Sequence, residues 1–404
     1  MSKDYKVRFL DRTTPPHIST LILLAGLSAL TMNIFLPSLP GMTTYFQTDY
    51  AVMQLSVAGY LGMSALLQII IGPVSDKFGR RPVLLWGVSL FLVATLGCII
   101  APTIETFLAA RMAQASIVVA MVLSRAAIRD VVPTNQAASM ISYVTMGMAV
   151  VPMIGPAFGG VLDEVFGWKA NFWILFVLGL PILALTYIDL GETKRPSGHS
   201  LFRQFQEYPE LLKSQRFWGY SLATACSSGS FFAYLGGAPF VATEVFDMSP
   251  AKMGVYFGAP ALGYFIGNFI SGRYSSRYGV NKMVLAGCIT CTIGILLSLS
   301  IFLVHTGTPE IFFGFMTLVG LGNGLTIPNA TAGALSVRPH LAGTAAGLSG
   351  AIMLGGGAGL SALAGALLVP GSGANPLIWL MFITSIAAIA AIWWVIHRER
   401  LLAK

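Results

Sequence analysis

The sequence predicts an all-α membrane protein with twelve transmembrane helices arranged as two six-helix halves. Three observations support this fold class. Of the 404 residues, 55% are hydrophobic and only 10% are charged, and the mean hydropathy is +0.75. Soluble domains carry about 25% charged residues, so this chain has too few to cover a water-exposed surface. The apolar residues form continuous runs of about 20, the length that crosses a bilayer, and one polar connection divides these runs into two equal sets.

Apolar runs of this length predict the following helices along the chain. The six of the first half are 18–40, 51–73, 82–101, 104–127, 136–162 and 169–189. The six of the second half are 217–241, 250–274, 281–304, 310–335, 342–369 and 376–396. Transmembrane β-strands are not expected, because the runs are unbroken and alternating polar and apolar segments of about ten residues are missing.

The polar connection and an internal repeat predict the domain organisation. We expect an N-terminal bundle over 1–190, a cytoplasmic connecting loop over 191–216 and a C-terminal bundle over 217–404. The two halves align at a constant offset of 200, and the matched positions are Gly72, Ser75, Gly79 and Gly87 with Gly272, Ser275, Gly279 and Gly287. Two parallel six-helix repeats are typical of transporters that move about a central site.

The basic residues predict the orientation in the membrane. If the N-terminus is cytoplasmic, 21 of the 24 lysines and arginines lie at the cytoplasmic face. The positive-inside rule therefore places both termini in the cytoplasm. The net charge of +8 follows from this topology, and the spread of the basic residues over seven short segments argues against nucleic-acid binding. No small-residue cleavage site follows the basic tail, so we expect the first helix to be retained.

The loop between spans 2 and 3 carries the most specific motif. Residues 72–82 read GPVSDKFGRRP, and its key positions are Gly72, Asp76, Gly79, Arg80 and Arg81. The glycines permit a tight turn and a close helix approach. Asp76 can pair with a basic loop residue and with a helix N-terminus of the opposite half. This charge cluster is therefore predicted to act as a conformational latch.

This loop resembles the signature loop of the major facilitator superfamily. Arg111-Met112-Ala113-Gln114 in span 4 resembles the R-x-x-Q motif of the superfamily's drug exporters. The stretch that starts at Phe35 and reads FLPSLP is similar to the Y-L-P-x-x-P of the bicyclomycin-resistance and chloramphenicol-efflux (Bcr/CflA) subgroup. The resemblance covers nearly the whole chain and implies the major facilitator fold, export of small organic molecules and proton antiport.

Span 5 contains a pattern of glycines and prolines that resembles the antiporter motif of the same exporters. Its positions are Gly147, Pro152, Gly155, Pro156 and Gly159. Glycine and proline bend a transmembrane helix and let a neighbour approach closely. The resemblance implies that this helix packs against the other half and seals the cavity.

A set of polar and aromatic residues within the spans is predicted to line the cavity or to take part in coupling. These residues are Asn33, Phe35, Arg111, Gln114, Phe232, Tyr234, Tyr256, Asn268 and Asn323. Arg111 stands out because a cation within a span costs about 2.5–3.5 kcal/mol on insertion scales and usually marks function. Its alternative role is a structural anchor for helix carbonyls.

Asn33 departs from the subgroup, which usually has an acidic residue just before the Y-L-P. None of the sixteen acidic residues lies in the middle of a span, and an amide cannot carry a proton. The alternative is therefore an uncoupled facilitator or exchanger of the same fold. A cavity with Arg111 and without a carboxylate disfavours cations, so neutral or anionic amphipathic substrates are expected.

Other classes of protein are less consistent with the sequence. A membrane-embedded enzyme needs clustered His, Asp or Glu at bilayer depth, and a channel does not explain repeated halves with a latch. The chain has no G-x-x-x-x-G-K-[ST] loop, so ATP is not the direct energy source. We expect no cofactor and no metal site, a monomer in the bacterial inner membrane, and lipid, a small-molecule substrate and protons as partners.

Overall fold

The computed structural model describes residues 7–131, 144, 151, 154–193, 208–304, 307–338 and 341–402. In the first half, α1 is Ile18–Phe46, α2 Tyr50–Phe78, α3 Arg80–Ile100, α4 Ile104–Ile128, α5 is helical over 154–166, and α6 is Lys169–Asp189. In the second half, α7 is Gln215–Glu244, α8 Pro250–Tyr278, α9 Val280–Val304, α10 Pro309–Ser336, α11 Ala342–Leu367 and α12 Asn375–Leu402. Within these described ranges, ten helices are long and apolar enough to cross a membrane.

The described helices agree with the predicted spans and differ mainly by extending further at their ends. Of the span predicted over 136–162, most residues before 154 lie outside the described part of the chain. α2 was predicted to end at residue 73 but continues to Phe78, and α8 continues to Tyr278. Each stops at a glycine with positive φ, +95° at Gly79 and +83° at Gly279. Hydropathy marks only the lipid-embedded part of a helix, whereas the backbone ladder continues until a residue adopts a conformation that ends it. These two endings also repeat the offset of 200 found in the sequence.

α7 is a 30-residue helix that is less apolar than the ten spans, although the sequence predicts a span over 217–241. Its interior is rich in serine, threonine and glycine, and most of these residues are buried against neighbouring helices. Small and hydroxylated side chains are favoured where one transmembrane helix packs on others. The composition of α7 therefore reflects contact with protein on most of its surface.

α1 is interrupted near its middle. It is helical over Ile18–Asn33, makes a 3₁₀ turn over Leu36–Ser38 and is helical again over Leu39–Phe46. The prolines of the FLPSLP stretch lack the N–H group that a continuous helix needs. The last backbone bond of the first segment runs from Ile34 N to Leu30 O, so the carbonyl of Thr31 is left available for another donor.

Glycines let α8 and α10 cross with their backbones almost in contact. A β-carbon at Gly320 would lie 1.8 Å from the carbonyl oxygen of Pro260, and one at Gly263 would lie 1.8 Å from that of Thr317. Both distances are far below van der Waals contact. Only residues without a side chain fit this crossing, which is typical of helix pairs in membranes.

The bundle has two ends, which we name by their residues. The basic end carries 76–82, 190–193, 208–216 and 277–282, and the opposite end carries 46–50, 100–104, 166–169 and 244–250. Among the described residues, the contacts between the two halves include those of α2 with α11, α1 with α7, and α5 with α8. These pairs surround the space in which the candidate site lies.

We predict that Gly320→Ala lowers the thermal stability of the purified protein. The new β-carbon would overlap the Pro260 carbonyl, and overpacking of this kind costs about 1–3 kcal/mol. Gly314→Ala on the same helix is the matched control, because nothing lies within 4 Å of a β-carbon there. Unfolding temperatures measured in detergent check the prediction, and equal values for the two variants would contradict the close crossing.

Candidate functional site

A cavity of about 750 Å³ lies between the two halves. Its wall contains residues of both halves, including Asn33 of α1 and Phe232 of α7. It extends from these residues in the middle of the bundle to Asp76 and Arg80 at the basic end. A concave, mostly apolar space with a few polar groups is the usual form of a small-molecule site.

At the opposite end, hydrogen bonds join the two halves directly. The hydroxyl of Tyr50 donates to the carbonyl oxygen of Gly236 at 2.5 Å. The side-chain amide of Gln54 donates to the hydroxyl of Ser361 at 2.6 Å. Both donors lie on α2 and both acceptors lie in the second half. These bonds hold the two halves together at the opposite end, so the cavity is closed there.

The backbones of α5 and α8 also meet at this end. A β-carbon at Gly160 would lie 2.2 Å from the carbonyl oxygen of Pro250, and one at Gly254 would lie 2.2 Å from that of Pro156. The contact is reciprocal, because each helix brings a glycine against the backbone of the other. No residue with a side chain fits at either position without separating the helices.

The antiporter-type motif lies partly within the described residues. Gly147 and Pro152 lie outside them. A β-carbon at Gly159 would lie 1.8 Å from the carbonyl oxygen of Ile34, and one at Gly155 would lie 3.2 Å from the Leu30 side chain. These two glycines therefore face α1 of the same half, whereas Pro156 faces α8 of the other half.

The charged cluster of the 72–82 loop joins several helix ends of the first half. Arg80 Nη2 lies 2.9 Å from Asp76 Oδ1, and Arg80 Nε lies 3.0 Å from Asp130 Oδ2. A further hydrogen bond runs from Arg80 to the hydroxyl of Ser75. The Arg80 side chain is only 8% exposed, so its charge is neutralised mainly by these two carboxylates.

Glu192 anchors the start of α3 and was not singled out by the sequence. Its two carboxylate oxygens accept from the backbone N–H of Arg80 at 2.8 Å and of Arg81 at 3.2 Å. Gly79, with φ of +95°, leaves no side chain in the way, since a β-carbon there would lie 2.3 Å from Glu192 Oε2. A carboxylate on the free N–H groups of a helix start is a favourable arrangement. Arg81 Nε donates to the carbonyl of Leu190 at 2.9 Å.

Arg111 is buried inside the first half, with 1% of its surface exposed. Its guanidinium donates to the carbonyl of Thr31 at 3.0 Å, to that of Ser56 at 3.3 Å, and to the Gln114 side chain. The Gln114 amide in turn donates to Thr95 Oγ1 at 2.8 Å. Among the described residues, no carboxylate lies within ion-pair distance of Arg111.

Two aromatic rings complete the surroundings of Arg111. The guanidinium carbon lies 4.3 Å from the ring centroid of Phe35 and 4.2 Å from that of Tyr60. A cation between two ring faces is stabilised by about 2 kcal/mol or more at each face when it is desolvated. Tyr60 lines the cavity and Arg111 does not, so the tyrosine ring separates the cation from the cavity.

The nine residues predicted for the cavity and coupling occupy different places. Asn33, Phe232 and Asn323 line the cavity. The residues that lie outside its wall are Phe35, Arg111, Gln114, Tyr234, Tyr256 and Asn268. Phe35, Arg111 and Gln114 form the buried cluster behind Tyr60 described above.

The other three residues outside the wall have partners elsewhere in the second half. Tyr234 is fully buried, with its ring centroid 5.3 Å from that of Phe257. The hydroxyl of Tyr256 donates to Glu310 Oε1 at 2.7 Å, near the opposite end. The Asn268 amide donates to the carbonyl of Tyr264, one turn back on α8, at 2.8 Å.

The wall also contains polar residues that were not predicted for the cavity, among them Ser64, Gln68 and Tyr208. Ser64 and Gln68 are one turn apart on α2, and Tyr208 begins a short helix, Tyr208–Leu212, at the basic end. α2 carries polar residues on more than one face, so the pattern of the sequence does not show which of them face the other half.

Comparisons with known proteins agree with this architecture. The profile described as Major Facilitator Superfamily matches residues 21–358 and, in a second match, 222–404. A chloramphenicol resistance protein of Pseudomonas aeruginosa is 30% identical over 351 residues, which cover 85% of this chain and 81% of that protein. Multidrug resistance protein D of Escherichia coli (strain K12) is 28% identical over 363 residues, which cover 87% of this chain and 89% of that protein.

A solved structure is similar over nearly the whole chain. It is that of a bacterial homologue of the human lysosomal transporter Spinster, in an inward-facing and occupied conformation. The TM-score is 0.71 at 18% identity, and the match covers 99% of this chain and 98% of that one. The predicted fold and family are thereby confirmed: this chain belongs to the major facilitator superfamily and is a multi-pass membrane transporter.

Proposed function

We propose that this protein exports small neutral or anionic organic molecules from the bacterial cytoplasm in exchange for protons. The observation that carries the proposal is the cavity between the halves, which is closed at the opposite end and extends to the basic end. A cavity that extends to one end of the bundle and is closed at the other is accessible from one side of the membrane at a time. This is what alternating access requires.

The distribution of basic residues supports the direction of transport. If the basic end faces the cytoplasm, as the positive-inside rule indicates, the cavity of this conformation is loaded from the cytoplasm. The halves 1–190 and 217–404 would then rock as units about the connection 191–216. We propose a monomer in the inner membrane, since each chain contains both walls of the cavity.

The charges of the cavity wall support the substrate class. Arg80 and Arg125 line the cavity, and Asp76, which also lines it, is paired with Arg80. A lipophilic cation entering this space would lose its hydration and find no uncommitted carboxylate among the described lining residues. For neutral and anionic molecules, the missing carboxylate carries no such cost. The relative named for chloramphenicol resistance is consistent with this class, because chloramphenicol is uncharged.

Asp76 is the proposed site of proton coupling. Asn33 lines the cavity where the subgroup usually has an acid, and its amide donates to the carbonyl of Ala29 at 2.7 Å. The side-chain amide of an asparagine does not take up a proton near neutral pH. Among the described residues that line the cavity, Asp76 is the single carboxylate. Its protonation would break the contact with Arg80 at the cavity mouth and so link proton binding to the latch.

The function is tested with the purified protein in proteoliposomes. Radiolabelled chloramphenicol is the substrate, and its accumulation is measured with and without an imposed pH gradient. We expect uphill transport that follows the gradient. Transport that only equilibrates the substrate, whatever the gradient, would favour the uncoupled facilitator, and no transport of chloramphenicol would contradict the proposed substrate class.

We predict that Asp76→Asn lowers gradient-driven transport by about tenfold or more, which corresponds to about 1.4 kcal/mol. The asparagine keeps the shape of the side chain but removes both the charge and the titration. Asp247→Asn is the control, because Asp247 is exposed at the opposite end with φ of +48°, a conformation that asparagine adopts readily. Normal uphill transport by Asp76→Asn would exclude Asp76 as the proton carrier and as an essential part of the latch.

We predict that Arg111→Lys lowers transport at least about tenfold. Lysine keeps the charge, but it cannot donate to two carbonyls and a side-chain amide in one plane while lying between two rings. Each buried hydrogen bond of a charged group contributes about 1.5–3 kcal/mol. Arg273→Lys, at an exposed position of α8, is the control. Near-normal transport by Arg111→Lys would show that a positive charge alone is sufficient there.

A further inference from the structure

One face of α10 forms part of the cavity wall in the second half. The residues of α10 that line the cavity are Gly320, Asn323, Ile327 and Thr331. Their spacing of three, seven and eleven residues from the first is that of a single helix face. Asn323 is the only carboxamide on this face, and 3% of its surface is exposed.

The two ends of the Asn323 amide have different surroundings. Its oxygen accepts a hydrogen bond from the hydroxyl of Ser227, on α7, at 2.9 Å. Its nitrogen is itself buried and has no hydrogen-bond partner within the described part of the chain. Because the amide is planar, the bond from Ser227 to its oxygen restricts the directions in which its two N–H groups can point. A buried polar group left without a partner costs about 1–3 kcal/mol.

A second asparagine on the same helix shows that a buried amide nitrogen without a partner is not a general feature of α10. Asn329 is equally buried, at 3%, and its amide nitrogen donates to Ser271 Oγ at 2.7 Å and to the carbonyl of Leu325 at 2.8 Å. It does not line the cavity. Where α10 faces protein, the asparagine has its donors satisfied, whereas the asparagine on the cavity face has a donor free.

We propose that Asn323 Nδ2 is the hydrogen-bond donor that binds an acceptor oxygen of the transported molecule. This inference rests on the proposed function and specifies the part of the substrate that the second half recognises. The wall of the second half also includes the apolar residues Phe231, Phe232, Met353 and Leu354. The site therefore takes a molecule with an apolar body and a carbonyl, amide, nitro or carboxylate oxygen, and gains nothing from one without an acceptor.

The position of the donor also links substrate recognition to the second half as a whole. Asn323 lies on α10 and is oriented by Ser227 on α7, and Phe231 and Phe232 lie one turn further along α7. A substrate that fills the unpaired donor removes a cost that the empty cavity carries. The bound state is then stabilised through α7 and α10. Both helices belong to the second half, which must move relative to the first half.

The test uses the purified full-length protein and two probes. Chloramphenicol is neutral and carries amide and nitro oxygens, and tetraphenylphosphonium is a cation without an acceptor oxygen. The test variant is Asn323→Asp, which keeps the oxygen that Ser227 binds but replaces the donor by a second acceptor. We expect the chloramphenicol Kd to rise about tenfold, because a neutral hydrogen bond is lost and two acceptors face each other. The Kd of the cation should stay the same or fall.

Two further variants keep the test decisive. Asn323→Leu removes the donor with an apolar side chain of similar size and should also weaken chloramphenicol about tenfold, so it answers the question if the aspartate variant does not fold. Asn329→Asp is the matched control, and it should leave both Kd values unchanged. If both Asn323 variants bind chloramphenicol with the Kd of the unmodified protein, this inference is overturned but the proposed function is not. Absence of chloramphenicol binding by the unmodified protein overturns the proposed function and this inference with it.

Discussion

The contact between the two halves at the opposite end is the constraint on which the rest of the architecture depends. Gly160 and Gly254 bring the backbones of α5 and α8 together, and the bond from Gln54 to Ser361 joins α2 to α11 at the same level. α2 also stays in contact with α11 beyond its middle, where a β-carbon at Gly350 would lie 2.5 Å from Gln68 Oε1. The cavity lies between the halves and extends to the basic end, and the contacts at the opposite end close it there. The glycines matter because direct contact between backbones leaves no room for a side chain.

Arg111 shows how the first half keeps a cation in its interior. Burying an arginine without a carboxylate is normally unfavourable. Here the break in α1 leaves the carbonyl of Thr31 free, and the guanidinium binds it together with a carbonyl of α2 and the Gln114 amide. The ring centroids of Phe35 and Tyr60 lie 4.3 Å and 4.2 Å from its guanidinium carbon. The proline-rich stretch and the arginine are therefore parts of one structural unit, in which a helix break supplies the acceptors that the cation needs.

The sequence predicted some of the candidate site, and the reason for the limit is visible in individual residues. Asn33, Phe232 and Asn323 were expected at the cavity and line it, because polar or aromatic residues within a span tend to face protein or a cavity. Tyr234 belongs to the same class but points into a cluster of rings, and Gln114 serves Arg111. A polar or aromatic residue within a span is expected to avoid lipid. Its residue type does not show which of several protein-facing surfaces it contacts.

By itself, the sequence determined the fold class, the positions of most helices, the internal repeat and the charged loop, because all of these depend on local properties: the length of apolar runs, the position of glycines and the signs of nearby charges. The tertiary structure decided which helix faces line the cavity, that Glu192 binds the start of α3, and that the Asn323 amide nitrogen has no partner among the described residues. These features depend on how helices distant in sequence are rotated and tilted against each other. Such rotations result from packing summed over the whole bundle, and no single segment of the chain contains that information.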